Sequence, residues 1–275
     1  MSNAISPSDA QTSQEHARDV VHPDGAILLS HFEDLAQQNE STKLGMWTFL
    51  ATEVMFFSGL FMAYILFRWK FFDGFAEASN LLNTTLGALN TGALLVSSLT
   101  MALAVDYAKF GQRKQVNQFL FLTMALGTLF LGVKAREYYV DYKEGLIPGV
   151  LWNPEIIPSK TSGVDPHAAG EAHAAGEAHA DASSHESGSH RAKVHQDTEK
   201  HTEMFFVIYF AMTGLHALHM AIGIAALGVM AYLIHRSKRV DGTTVESLGL
   251  YWHFVDLVWV FLFPLLYLID VNHKV

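Results

Sequence analysis

A single glutamate interrupts the most apolar stretch of this chain. Residues 44–67 read LGMWTFLATEVMFFSGLFMAYILF, and Glu53 is the one charged residue between Met46 and Phe67. As a helix rising about 1.5 Å per residue, 46–67 extends roughly 33 Å, enough to cross a hydrocarbon core of about 30 Å. A carboxylate at that depth costs about 3 kcal/mol on insertion scales, so ionisable residues inside such spans mark functional sites by default. The bland alternative is a protonated Glu making one interhelical hydrogen bond. The groups that could answer Glu53 are polar residues on other spans, a lipid headgroup reaching into a cleft, or His31 folded back from the segment upstream. Two further pairs sit in apolar surroundings. His216 and His219 are three apart, as are His253 and Asp256, so each pair shares a helix face. Together they could supply four N/O ligands to a metal, or they could form an interhelical hydrogen-bond network. A third candidate is the repeat HAAGEAHAAGEAHA, with His167, His173 and His179 as weak metal ligands. A spacing of six turns roughly 240° around a helix, so these histidines do not share a face. Their Ala, Gly and Glu background cannot bury a core, which favours a solvated loop.

The elements that must position these residues are membrane helices. Half of the 275 residues are hydrophobic, only 16% are charged, and 19 are Phe. The net charge of −9 reflects acid concentrated in polar segments and implies neither a basic ligand nor nucleic acid. With no cysteine, disulfides, thiolate metal sites and cysteine nucleophiles are excluded. The expected fold is an all-α membrane protein with five transmembrane helices in a bundle. Residues 1–30 read as a flexible tail without a secretory signal. Residues 31–143 hold a short amphipathic surface helix at 31–41 and spans one to three, near 44–67, 81–105 and 116–133. Between spans one and two, 69–80 reads as a polar connector. Span two is rich in small residues such as Gly87, Ser97 and Ser98, which suits close packing against protein. Lys134, Arg136, Tyr138 and Tyr139 after span three read as a belt of interfacial aromatics and snorkelling cations. Residues 144–203 read as a His-rich external loop. Residues 204–275 hold spans four (204–234) and five (247–269), and Trp252 and Trp259 set a packing seam on span five. The connectors carrying Lys109, Arg113 and Lys114, and Arg236, Lys238 and Arg239, place the N-terminus inside and the C-terminus outside.

Four stretches add a resemblance. GMWTFLATEVMFFSGLFMAY (45–64), LNTGALLVSSLTMALA (89–104), FFVIYFAMTGLHALHMAIG (205–223) and ESLGLYWHFVDLVWVFLFPLLYL (246–268), with REYY at 136–139, resemble subunit III of the haem–copper (cytochrome c) oxidases. The resemblance covers about 31–143 and 203–271. It implies that Glu53 matches the family's intramembrane Glu, associated with carbodiimide reactivity and a lipid-filled cleft. It also places Glu137, His216, His219, Glu246, Trp252, His253, Asp256 and Trp259 at family motif positions. The family subunit carries no haem or copper, which reside in partner subunits. It packs against oxidase subunit I, alongside subunit II and other oxidase or supercomplex subunits. It holds phospholipid and supports proton uptake and sustained turnover. The mitochondrial form has seven helices. The five spans here resemble the bacterial type, which lacks the two helices forming one arm of the cleft.

The expected function is therefore an accessory, non-redox subunit of a proton-pumping terminal oxidase in a bacterial plasma membrane. The resemblance and the flanking aromatics favour a hydrogen-bond network over a metal site for the His and Asp pairs. A quinol oxidase subunit or a nitric oxide reductase accessory protein is the nearest alternative. A divalent-metal transporter with a His-rich loop is a third reading, but it expects broken helices at its site, and Pro264 is the one proline in the spans.

Overall fold

The structure, a computed structural model, describes residues 20–21, 27–28, 34–149, 152, 183–237 and 242–269. It contains a two-residue antiparallel ladder of β1 (Val20–Val21) and β2 (Ile27–Leu28). The described helices are α1 (Leu35–Lys70), α2 (Phe72–Leu81), α3 (Thr84–Lys109), α4 (Arg113–Glu144), α5 (Ser183–Ser237) and α6 (Gly242–Tyr267). α1, α3, α4, α5 and α6 are long and apolar enough to cross a membrane, and they correspond to the five expected spans in order.

Four boundaries differ from the sequence reading, each for a local reason. Among the described residues no separate surface helix precedes span one: STKLG at 41–45 contains no proline, and α1 runs through it, Gly45 included. α1 is capped instead by Asp34, whose Oδ1 accepts the Gln37 N–H at 2.6 Å. The connector after span one is the helix α2, which buries Phe75, Ala76, Ala78 and Ser79. α4 continues through the tyrosines to Glu144, and α5 starts at Ser183, so 183–203 is helical rather than loop. The candidate residues His31, His167, His173 and His179 lie outside the described residues. Gly111 and Gly145 end α3 and α4 with positive φ. In each, two backbone bonds close the last turn (Gly111 to Ala108 and Gln112 to Tyr107; Gly145 to Tyr142 and Leu146 to Asp141), the glycine C-cap arrangement.

Each long helix buries a narrow seam of three- and four-residue steps and leaves the rest apolar and exposed. On α1 the buried residues are Leu50, Phe57 and Tyr64, whereas Met55 is 77% exposed. On α3 they include Asn90, Leu94, Ser97, Met101 and Ala104. On α4 the seam runs Val116, Leu120, Thr123, Phe130 and then, without a break, Lys134, Glu137 and Asp141. α6 is the most enclosed span, with 44% of its apolar window buried against 17% for α1. Exposed Trp47, Met55, Leu99 and Val229 suit a lipid or protein surround rather than water.

The chain divides into two compact units, and every long helix contributes residues to both. In the unit formed by 1–57, 96–125 and 222–254, Trp252 packs on Gly223, Phe57 meets Phe254 at 6.1 Å and Phe49 meets Tyr251 at 6.1 Å. In the unit formed by 58–95, 126–221 and 255–275, α2 enters the core through Phe75, which contacts Tyr64 and Phe205. The Tyr64 hydroxyl donates to the Leu265 carbonyl, one of the last carbonyls of α6, which have no partner within their own helix.

Candidate functional site

The α4 seam brings the densest group of buried polar residues together. Lys134 is only 3% exposed. Its Nζ donates to Glu137 Oε2 at 2.9 Å, to the Tyr267 hydroxyl at 2.8 Å and to the Tyr209 hydroxyl at 3.1 Å. All three ammonium protons are thereby used. The Tyr267 hydroxyl donates in turn to Glu137 Oε1 at 2.6 Å. The ammonium also lies 5.0 Å from the Trp259 ring centre and 5.1 Å from that of Tyr209, within cation–π range. Asp141 lies one turn beyond Glu137, buried, with Oδ2 unpartnered. α4, α5 and α6 are thus joined by one charged group and its shell.

This corrects the reading of Lys134 as a snorkelling interfacial cation. The signal was present in the sequence: Lys134, Glu137 and Asp141 continue the three-and-four spacing of Val116, Leu120, Thr123 and Phe130. A charge in phase with the buried seam faces protein, not the headgroups. Of the predicted residues Glu137 belongs to this cluster, and Trp259 borders it. Trp259 Nε1 donates to Thr91 Oγ1 at 3.0 Å.

The remaining candidates do not join a single network. His216 lies between Phe130 and Trp259, at ring distances of 5.5 and 5.2 Å, and neither ring nitrogen has a hydrogen-bond partner. His219 Nδ1 contacts the Leu215 carbonyl of its own helix at 2.7 Å. Sharing a face therefore does not make these two histidines act together. Nor do His253 and Asp256 satisfy one another. His253 Nδ1 pairs with Ser98 Oγ at 2.7 Å. Asp256 is 4% exposed, and both of its carboxyl oxygens lack a partner. Trp252 Nε1 donates to Ser97 Oγ at 3.1 Å, and Ser97 donates on to the Thr123 carbonyl at 3.5 Å. Small residues of span two are thus the hydrogen-bond partners of the aromatic and imidazole groups of α6. Glu246 forms a surface pair with Lys43 at 3.8 Å, of a kind worth at most about 1 kcal/mol.

Glu53 is half-buried on the flank of the α1 seam, three residues after Leu50 and four before Phe57. It lies within electrostatic reach of Tyr251. Val54, Met55 and Phe56, which follow it, are exposed. The carboxylate therefore borders an apolar face of α1. Among the described residues no three His, Asp or Glu side chains converge as a metal site.

Comparison with known proteins identifies the family. The family model for cytochrome c oxidase subunit III matches residues 10–143 and 200–271. A cytochrome c oxidase subunit 3 of Alkalihalophilus pseudofirmus is 26% identical over 89% of this chain and 95% of its own length. A quinol oxidase subunit 3 of Bacillus spizizenii is 26% identical over 83% of this chain and 87% of its own length. A cytochrome bo(3) ubiquinol oxidase subunit 3 of Pseudomonas putida is 25% identical over 84% and 87%. The match takes in all five long apolar helices and every polar group described above, and the chain belongs to the cytochrome c oxidase subunit III family.

Proposed function

We propose that this chain serves as the accessory, non-redox subunit of a proton-pumping terminal oxidase, stabilising the catalytic subunit and structural lipid. The observation that carries the reading is how its polar groups are used. The Lys134–Glu137 cluster, Trp252 with Ser97, His253 with Ser98 and Trp259 with Thr91 each join one helix to another. The histidines point to separate places, which favours bracing of a scaffold over ligation. Haem and copper then reside in subunit I and subunit II. The exposed apolar faces of the spans are the surfaces for those subunits and for lipid. Glu53 sits beside such a face, in keeping with a lipid-bordering role in the complex. Lys109, Arg113 and Lys114, with Arg236, Lys238 and Arg239, favour an N-terminus inside and a C-terminus outside.

Relatives include both cytochrome c and quinol oxidase subunits. A quinol-oxidising complex is the second reading, since the electron donor acts on other subunits. The test is purification through a tag on this chain in mild detergent. A haem-containing catalytic subunit should co-purify in equal amount, and oxidation of cytochrome c or of quinol by the complex separates the two readings. Purification of the chain with no haem protein attached refutes the proposal.

A further inference from the structure

The charges buried at the Lys134 cluster do not balance. Lys134, Glu137 and Asp141 are 3%, 9% and 6% exposed and lie on one seam of α4, in the unit formed by 58–95, 126–221 and 255–275. Lys134 supplies one positive charge, and the carboxyl groups could supply two negative ones. Glu137 takes the ammonium: its Oε2 accepts from Lys134 Nζ and its Oε1 from the Tyr267 hydroxyl. The ammonium protons are spent on Glu137, Tyr209 and Tyr267, so none is left for Asp141. Among the described residues Asp141 forms no ion pair, and its buried Oδ2 has no hydrogen-bond partner. The charged or titratable groups within electrostatic reach of it are Lys134, Glu137, Tyr138 and Glu144 of α4, Tyr209 of α5 and Tyr267 of α6. Lys134 is the one cation in that set.

Hydrogen bonding decides which carboxyl group is neutral. Donors hold a carboxylate in its charged form, and Glu137 has one on each oxygen. A buried carboxylate with neither donor nor cation is far costlier than a neutral carboxyl group, so the proton goes to Asp141. A proton binds on the oxygen itself and needs no cavity. Asp141 stands eight residues past Val133, where the apolar run of α4 ends, about 12 Å along the helix. Tyr139, Val140 and Tyr142 around it are exposed. Asp141 therefore lies outside the apolar segment, in a turn close to water. We infer that Asp141 is a proton-binding site: at neutral pH it holds the proton that balances two carboxyl groups against one lysine, and its ionisation loosens the junction of α4, α5 and α6 as the pH on that side of the membrane rises. The inference rests on the Lys134 cluster and not on the oxidase reading.

The test is infrared spectroscopy of the full chain in mild detergent, together with any subunits that co-purify. A protonated carboxyl group has a carbonyl band distinct from that of a carboxylate and shifted in heavy water. The spectrum of the unmodified chain minus that of Asp141→Asn should contain this band at neutral pH and lose it as the pH rises; other carboxyl groups cancel in the difference. In Glu137→Gln the charge count reverses. Lys134 is then without a carboxylate, so Asp141 should give up its proton, and the band should be lost at neutral pH with Asp141 intact. The thermal midpoint gives a second readout, in which only the change with pH is compared. Above about pH 4, the ordinary value for Asp, the folded chain holds a proton that the unfolded chain has lost, so its stability falls as the pH rises. Asp141→Asn has no such proton and should gain about 3–5 °C on the unmodified chain per pH unit, until the folded Asp141 ionises. No carboxyl band in the first difference spectrum overturns the inference, as does a midpoint difference that is constant with pH. A band that persists in Glu137→Gln overturns the charge balance behind it, and the Asp141→Asn arm stands by itself where Glu137→Gln does not fold. Loss of the band on adding sodium assigns Asp141 to a metal cation and refutes the proton.

Discussion

Lys134 and Glu137 allow a quantitative test, because each single change leaves a different remainder. In Lys134→Met, Glu137 keeps the Tyr267 hydroxyl but loses its cation, and Asp141 stands one turn away. In Glu137→Leu, Lys134 keeps two tyrosine hydroxyls and the ring faces of Trp259 and Tyr209. Removing one partner of a buried pair costs about 3–5 kcal/mol. Ring faces around a desolvated cation return up to about 2 kcal/mol. Lys134→Met should therefore be the costlier change, near the top of that range, and Glu137→Leu should fall about 1–2 kcal/mol lower. The double variant K134M/E137L places apolar side chains of similar size in the seam and should recover most of the loss. The expected coupling, the loss in the double variant minus the two single losses, is about 6 kcal/mol in favour of the double variant. The assay is loss of folded chain on heating in detergent. At about 2–4 °C per kcal/mol, Lys134→Met lowers the midpoint by about 10–15 °C, and the double variant stays within about 5 °C of wild type. Additive losses in the double variant refute the buried-pair argument. A Lys134→Met variant with the stability of wild type shows that Lys134 reaches the headgroups after all.

Three further outcomes follow from the same structure. Glu53→Gln should leave assembly intact and initial oxygen consumption within about an order of magnitude of wild type, with faster inactivation over many turnovers; loss of about a thousandfold at first turnover would place Glu53 on an obligatory proton path. Asp256→Val removes a buried carboxyl group that has no partner, so thermal stability of the isolated chain should hold or rise by about 1 kcal/mol, and a drop of several degrees in midpoint would reveal a partner for Asp256. Deletion of 160–182, upstream of α5, should leave the complex and its turnover unchanged as measured by co-purification and oxygen uptake, whereas loss of assembly would make that stretch an interface.

What the sequence by itself determined were the features set by one helix and its solvent. A span must match the hydrocarbon thickness, and that requirement is local, so 44–67, 116–133 and 204–234 lie within α1, α4 and α5. The α6 seam was legible for the same reason, since Trp252 and Trp259 carry a large apolar signal at a spacing of seven, and both are fully buried. The α3 seam contains Asn90 and Ser97. Its small and polar residues carry little hydropathy signal, so its contacts emerge only when Trp252, His253 and Trp259 find Ser97, Ser98 and Thr91 on it. Tertiary structure alone decided which of two equivalent sequence patterns was used. His253 and Asp256 share a face, yet Ser98 of another helix comes closer to His253 and Asp256 is left alone. Lys134 stands at the end of an apolar run, where a lysine ordinarily snorkels. It turns inward because Tyr209 of α5 and Tyr267 of α6 arrive beside Glu137 and offer three acceptors and aromatic faces to an ammonium that would otherwise be desolvated. The choice depends on the free energy of groups far apart in the chain, and no property of residues 130–140 taken alone contains it.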